Sequence, residues 1–271
     1  MKRPGTGDRK PETRDSKDRG SDTPVGGWGP GPGPRTPDRR PGARKRVAVI
    51  VFPGSNCDRD AMAAVHAAGG EAVPVWHRDT DLAGCGAVIL PGGFSYGDYL
   101  RAGAMAAHSP VMAAVRAHAH AGGAVLGICN GFQMLLEIGL LPGAMLMNRT
   151  LRFICREVGI RVERDDLPLL SHVRKGQVLR VPIAHKDGNW FASPEAVARL
   201  EAAGAVAFRY CSADGDLTEA SNPNGALNAI AGLVNSAGNV LGLMPHPERR
   251  VHPLLGGEDG SPLIRALVEA A

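Results

Sequence analysis

Ala124-Val-Leu-Gly-Ile-Cys-Asn-Gly-Phe-Gln-Met-Leu-Leu136 is an apolar run that stops at a glycine-flanked cysteine and then takes up a helical pattern. A short β-rich run followed at once by apolar residues at helical period (Phe132, Leu135, Leu136) places Cys129 on the turn between a strand and a helix. Gly127 and Gly131 stand two residues to either side of it. This is the spacing of a nucleophile elbow, G-x-S-x-G with cysteine in the serine's place, where a cramped turn lifts the nucleophile above the sheet edge. Small neighbours are what such a turn requires. The following helix aims its first N–H groups and the positive end of its dipole at the sulfur, which favours thiolate over thiol. An arbitrary cysteine is more often inert packing, so a catalytic reading of Cys129 needs a partner base elsewhere in the chain.

On the N-terminal side, Val47-Ala-Val-Ile-Val-Phe52 is a continuous β-branched run, as expected of a strand buried on both faces of a parallel sheet. The loop Pro53-Gly-Ser-Asn-Cys-Asp58 follows, then a helix over residues 59–68 that ends at Gly69-Gly70. Residues 72–76 and 85–90 read as two more strands, and residues 110–121 as a helix leading to the strand 124–128. Strands alternating with helices imply βαβ units and a doubly wound, mostly parallel α/β sheet flanked by helices, whose ligands sit beyond the carboxyl ends of the strands. From Asn148 the pattern changes to β-like pieces at 150–155, 158–163, 177–183 and 206–210, an antiparallel extension in the C-terminal half. A helix over 193–204 starts at a Ser-Pro-Glu cap, and 228–234 with 240–244 form a final hairpin that delivers Pro245-His-Pro-Glu248.

The chain of 271 residues suits one α/β domain plus extra segments. Residues 1–45 are rich in Pro, Gly, Asp and Arg and almost devoid of aliphatic side chains, so burial cannot offset their ordering entropy. They read as a disordered basic tail, whether genuine or the product of a misplaced start codon, with the domain spanning 46–271. Residues 1–46 carry a net charge of +7 and residues 47–271 a net of −3. The body therefore offers no basic stripe, and specific nucleic-acid binding is not expected. No apolar run approaches the ~20 residues of a membrane span. Five cysteines without a C-x-x-C pair, and no apolar leader, argue for a reducing cytoplasm over a secreted disulfide framework.

A cysteine nucleophile needs a base within hydrogen-bond reach, and that base is usually oriented by a carboxylate. His246 and Glu248 meet this description, two residues apart beyond a strand end and stiffened by Pro245 and Pro247. An acyl-transfer site also needs donors for the oxyanion, worth about 2.7–4 kcal/mol each. The backbone N–H of Asn130, directly after the nucleophile, and that of Gly93, in a paired-glycine turn, are the two candidates. Cys57 lacks flanking glycines and a neighbouring base and reads as a loop residue at the site entrance. Cys85, Cys155 and Cys211 read as packing, and no metal-ligand spacing emerges among the histidines.

Gly127-Ile-Cys-Asn-Gly-Phe-Gln133, Pro91-Gly-Gly-Phe-Ser-Tyr-Gly-Asp98 and Met244-Pro-His-Pro-Glu248 together resemble the three signatures of class I (triad) glutamine amidotransferases, which are built on a flavodoxin-like sheet. Within that superfamily, Phe52-Pro-Gly-Ser-Asn-Cys-Asp58, Tyr99-Leu-Arg-Ala-Gly103, Asn148-Arg-Thr-Leu-Arg-Phe153 and Pro182-Ile-Ala-His185 resemble the glutaminase subunit of phosphoribosylformylglycinamidine synthase, an enzyme of de novo purine synthesis. The likeness runs from about Val47 to the C-terminus. It implies that Cys129 attacks the side-chain amide of glutamine, that His246 shuttles the proton and that Glu248 orients the imidazole. Gln133, by the same resemblance, positions the glutamine. The resemblance further implies that ammonia passes to a large synthetase subunit using ATP and Mg2+, with a small third subunit completing the complex and no cofactor in this chain. His185 belongs to a family-like motif whose continuation, Lys186-Asp-Gly-Asn189, departs from the glycine-acid-glycine pattern, and a subunit contact is the expectation for it. Two other readings are weighed: another triad cysteine hydrolase of this fold, and a non-catalytic regulatory module. Relatives of the first kind usually draw their histidine from directly after the cysteine, where this chain has Asn130, and the second predicts a lost triad member, whereas none is lost.

Overall fold

The computed structural model describes residues 44–271. The expected disordered tail at 1–45 lies outside the described residues, apart from its last two positions.

Strands β1 (Arg46–Val51), β2 (Glu71–Trp76), β3 (Ala87–Leu90) and β4 (Ala124–Ile128) alternate with helices α1 (Asp58–Ala67) and α2 (Val111–His120), and α3 (Asn130–Glu137) follows β4. All five residues of β4 and all four of β3 are buried, as a strand covered by helices on both faces requires. The later elements are β5 (Ala144–Leu146), β6 (Ile154–Val162), β7 (Val178–His185), β8 (Asn189–Phe191), α4 (Pro194–Ala202), β9 (Val206–Cys211), β10 (Ile230–Val234), β11 (Val240–Leu243) and α5 (Ser261–Glu269). Nine strands form one sheet in the order β2-β1-β3-β4-β11-β10-β9-β6-β7, and β5 pairs with β8 in a separate ribbon.

The sheet has two halves with different rules. From β2 to β11 every neighbouring pair is parallel, in the 2-1-3-4-5 order of flavodoxin-like folds with β11 in fifth place. Beyond β11 every pair is antiparallel. The hairpin of β10 and β11 joins the halves, and the register Leu243↔Ile128 brings the ends of β11 and β4 side by side. The expected doubly wound sheet with an antiparallel extension is therefore the observed architecture.

Two local expectations need correction. The stretch 150–155 is a turn rather than a strand until Ile154, with Leu151 held at φ 57°, and β6 then runs unbroken to Val162 where two pieces were expected. The cause is a local closure that competes with strand pairing. Asn148 accepts the N–H of Leu151 at its carbonyl and donates from its side chain to Arg152 O, which bends the chain at Thr150. The β5–β8 ribbon and α5 are additions to the sequence reading. α5 buries Leu263, Ile264 and Leu267 on one face, and Val268 packs beside Gly70 at the end of the α1 connection. Each such fully buried aliphatic side chain contributes about 1.5–3 kcal/mol, enough to dock a two-and-a-half-turn helix that would not persist alone.

Candidate active site

Cys129 is the N-cap residue of α3 at φ 50°, ψ −105°, a conformation that L-residues rarely adopt. Its strain is held by the surroundings. The Cys129 N–H donates to Leu243 O at 2.8 Å, its carbonyl accepts from Gln133 N at 3.1 Å, and the flanking glycines are sterically required. A Cβ at Gly127 would stand 2.5 Å from Leu135 Cδ1, and one at Gly131 would stand 1.9 Å from the carbonyl oxygen of Leu90. The two glycines thus let α3 lie directly against β3 and β4, which is what turns the cysteine outward. Strain of this kind, about 1–3 kcal/mol, clusters at functional positions.

His246 reaches the same point from the neighbouring strand end. Met244 N donates to Ala231 O and His246 N to Pro182 O at 2.8 Å, so the segment after β11 is pinned across β10 and β7. The imidazole Nδ1 lies 2.6 Å from Glu248 Oε1, and both side chains are about 1% exposed. Burial opposes a charge on His246, but the Glu248 carboxylate and then the Cys129 sulfur outweigh it and raise its pKa well above the ordinary histidine range. His246 Nε2 and Glu248 Oε2 are buried without a formed hydrogen bond. The thiols of Cys129 and Cys57 both lie against the imidazole, neither in the alignment of a completed bond.

Cys57 is therefore not the entrance-loop residue that its sequence context suggested. It is 2% exposed at the N-cap of α1, its N–H donates to Gly92 O, and Arg249 Nη2 donates to its sulfur at 3.0 Å. A base does stand nearby: Cys57 Sγ, a ring nitrogen of His246 and a carboxylate oxygen of Glu248 lie within 4.8 Å of one another. Gly92 makes room for this, since a Cβ there would be 2.6 Å from His246 Cε1 and 3.2 Å from Cys57 Sγ. The trio also groups three metal-type donors that no spacing along the chain could have disclosed.

Gly93 follows at φ 141°, bridged to Ser55, with Asn56 N only 2.8 Å from where its Cβ would be. No other residue fits that position without strain. Asn130 opens α3, so its N–H lacks an acceptor from a preceding helical turn. Its side chain is a junction: Oδ1 accepts from Ser95 N at 3.1 Å, and Nδ2 donates to Gln133 Oε1 at 2.7 Å and to Asp98 Oδ1 at 3.2 Å. Asparagine's paired donor and acceptor is what lets one residue fasten the loop after β3 to α3.

This geometry can be set against known proteins. Residues 44–256 match the CobB/CobQ-like glutamine amidotransferase domain family. The phosphoribosylformylglycinamidine synthase subunit PurQ of Gloeobacter violaceus is 54% identical over 83% of this chain and 98% of its own length, and that of Thermus thermophilus is 57% identical with the same coverage. The chain belongs to the PurQ family. It is a glutamine amidotransferase, the glutaminase subunit type of phosphoribosylformylglycinamidine synthase. A chain in the structure of PurLQS from Thermotoga maritima superposes with a TM-score of 0.74 at 42% identity, covering 84% of this chain and 99% of that one.

In this PurQ-family chain the walls of the site come from the antiparallel half. Cys129 Sγ lies 3.8 Å from Ala184 O at the end of β7. His185, expected at a subunit contact, is instead 3% exposed. Its Nδ1 bonds Asn148 Oδ1, which also accepts Gly188 N, and Asn148 Nδ2 donates back to His185 O. Burial, and then the charge of nearby His246, push the His185 pKa down to about 4. It is thus a neutral wall residue within reach of the site's field. Its signal in the sequence was present, in the Pro182-Ile-Ala-His185 stretch, but its inward direction follows only from β-strand alternation that ends at the last residue of β7. Phe94, Tyr99, Leu100, Leu151 and Phe153 are exposed apolar side chains, and Phe94 and Phe153 face each other with ring centroids 6.3 Å apart.

Proposed function

We propose that Cys129, His246 and Glu248 form the triad through which this chain hydrolyses glutamine. Cys129 Sγ attacks the side-chain amide carbon of glutamine while His246 takes the thiol proton. The tetrahedral oxyanion is stabilised by the backbone N–H groups of Asn130 and Gly93. His246 then returns the proton to the departing nitrogen, ammonia leaves and a γ-glutamyl thioester remains on Cys129. Water, deprotonated by the same imidazole, attacks the thioester and releases glutamate. Glu248 keeps Nδ1–H in place so that Nε2 is the exchanging nitrogen. Gln133, one turn into α3, positions the glutamine.

The observation that carries this reading is the convergence of two distant segments: the strained Cys129 after β4 and the 2.6 Å His246–Glu248 pair after β11 sit at adjacent strand ends with one imidazole against the sulfur. The ammonia passes to a large synthetase subunit that uses ATP and Mg2+ to make formylglycinamidine ribonucleotide in de novo purine synthesis, and a small third subunit completes the assembly. The Thermotoga maritima PurLQS assembly supports such partners. The exposed apolar side chains of Phe94 and Phe153, paired with each other, together with Tyr99, Leu100 and Leu151 offer surface for such partners to dock on. Among the described residues no helix is long and apolar enough to cross a membrane, and a cytoplasmic setting is the one in which the free thiols remain reduced.

The test is Cys129→Ala in the assembled enzyme. Glutamine-dependent synthesis is expected to vanish while synthesis from added ammonium persists. Retained glutamine-dependent synthesis would overturn the assignment.

A further inference from the structure

Cys57 has no part in the reaction above, yet it is as deeply buried as the triad and opposes the same imidazole. Its sulfur, a ring nitrogen of His246 and a carboxylate oxygen of Glu248 lie within 4.8 Å of one another, and all three residues are at most 2% exposed. Glu248 Oε2, an atom the reaction above does not use, is buried with no hydrogen bond formed. Unsatisfied buried groups are costly, and their presence in a native site points to something that completes them.

The donor set says what that something is. One sulfur, one imidazole nitrogen and one carboxylate oxygen are the ligands of zinc and its soft relatives; magnesium and calcium prefer oxygen alone. Donors on a tetrahedral zinc, at bond lengths of 2.0–2.3 Å, stand roughly 3.3–3.8 Å apart, so the widest separation in the trio has to close by at most about 1.5 Å while the 2.6 Å contact of His246 Nδ1 with Glu248 Oε1 has to open. The sulfur of Cys129 also lies against the imidazole. The surroundings are built to hold Cys57 in place. Gly92 leaves its sulfur and the His246 ring the space a side chain would take, and Arg249 Nη2 donates to the sulfur at 3.0 Å while Nε is anchored on Asp60 Oδ2 at 3.1 Å.

We propose that Cys57, His246 and Glu248 form a binding site for a single Zn2+-class cation, and that its occupation switches the glutaminase off. On binding, Zn–S, Zn–N and Zn–O bonds form, and the protons held by the Cys57 sulfur and the imidazole nitrogen pass to solvent; no electron changes hands. The imidazole is then a metal ligand and no longer exchanges a proton with Cys129. Metal binding stands on the cluster alone, and only the inhibition rests on His246 being the base of the proposed reaction. Through Cys57 the chain carries a metal-sensitive lock on its own nucleophile.

Cobalt reports this site without any reference to activity. The reduced, metal-free full chain titrated with Co2+ is expected to develop a near-ultraviolet thiolate-to-cobalt band saturating at one equivalent, and Zn2+ should abolish it. Cys57→Ser should remove most of the band and weaken Zn2+ binding at least tenfold, whereas Cys155→Ser, which alters an exposed thiol, should leave both as they are. Cys129→Ala, inactive on the reading above, should retain the band. No band in the unaltered chain, an unchanged band in Cys57→Ser, or a band lost with Cys155 or Cys129 would overturn the proposal. Should Cys57→Ser fail to fold, alkylation of the unaltered chain decides: Zn2+ should slow labelling of Cys57 at least tenfold by peptide mass spectrometry, and equal rates would refute the site. Zn2+ that binds as described without inhibiting glutamine hydrolysis would leave the site standing and remove the lock.

Discussion

Gln133 Nε2 donates to the carbonyl oxygen of Asp187 at 2.6 Å, tying the first turn of α3 to the segment that follows β7. Its Oε1 accepts from Asn130, so the glutamine amide is a link in a chain from the residue beside the nucleophile to the antiparallel half of the sheet. A residue that positions substrate through such a link affects binding more than chemistry. Gln133→Ala is expected to raise KM for glutamine roughly tenfold, the worth of one or two net hydrogen bonds at about 0.5–1.5 kcal/mol each. Turnover at saturation should fall much less. A kinetic split with kcat lost and KM unchanged would assign Gln133 to the chemical step instead.

Asp98 carries the opposite kind of information, because its environment disfavours its charge. Burial, and then the nearby Asp187 carboxylate, push its pKa up to about 6 against the bond from Asn130. The folded chain thus binds a proton that the unfolded chain releases near the usual carboxylate range, so stability falls as pH rises from about 4 to 6 and stays level above. Asp98→Asn is expected to raise the stability at pH 8 by about 1–2 kcal/mol once partial exposure is allowed for, and by little below pH 4. Asparagine also tolerates the left-handed φ of 54° found at this position. Melting curves at the two pH values check both halves of the statement.

The parts of this molecule that were legible from sequence are those governed by neighbours in the chain. The elbow is local, since Gly127 and Gly131 bracket Cys129, and the buried strands β1, β3 and β4 announce themselves as unbroken apolar runs. His246 and Glu248 were legible because two prolines and a strand end frame them. Cys57 was misread because its partners, His246 and Arg249, come from the far end of the chain, and only the parallel order β1-β3-β4-β11 gathers those loops. His185 was misread for a similar reason: whether the last residue of a strand points inward depends on register, which one misplaced boundary inverts. α5 is a different failure. Its signal, Pro262 in the first turn and apolar residues at 263, 264 and 267, was present but short, and its stability comes from docking on α1 and the sheet.

Glu248 lies 2.6 Å from the His246 imidazole and is the leading reason that its charged form is favoured despite burial. The raised pKa of His246 means that the imidazolium stabilises the folded chain below the ordinary histidine pKa, and that this contribution is lost as pH rises through the folded value. Glu248→Gln removes the leading favourable contribution while keeping the side-chain shape. His246 is then expected to titrate below 6.5 in an NMR pH titration, and glutamine hydrolysis to fall by roughly 10³–10⁴, the scale seen when the orienting carboxylate of a serine-protease triad becomes an amide. A variant that keeps its rate, or a histidine whose pKa stays raised, would show that Glu248 does not serve the imidazole.

Gly131 offers the sharpest steric prediction because its problem is backbone rather than side chain. A Cβ there would lie 1.9 Å from Leu90 O and 2.6 Å from Leu90 C, atoms of β3 that cannot rotate away. Gly131→Ala must therefore push α3 off the sheet. Overpacking of this kind costs about 1–3 kcal/mol and more where nothing can yield, a fall in melting temperature of about 2–12 °C for a domain of this size. Gly69→Ala is the control: its φ is 85° but nothing lies within 4 Å of the added carbon, so only the left-handed backbone cost of about 1–2 kcal/mol applies. The two variants also separate in activity. Displacing α3 moves Cys129 and the Asn130 N–H together, so Gly131→Ala is expected to lose glutamine hydrolysis even at temperatures where it is fully folded, while Gly69→Ala keeps it. Equal activities in the two folded variants would mean that the close contact of α3 with β3 is not what holds the nucleophile in place.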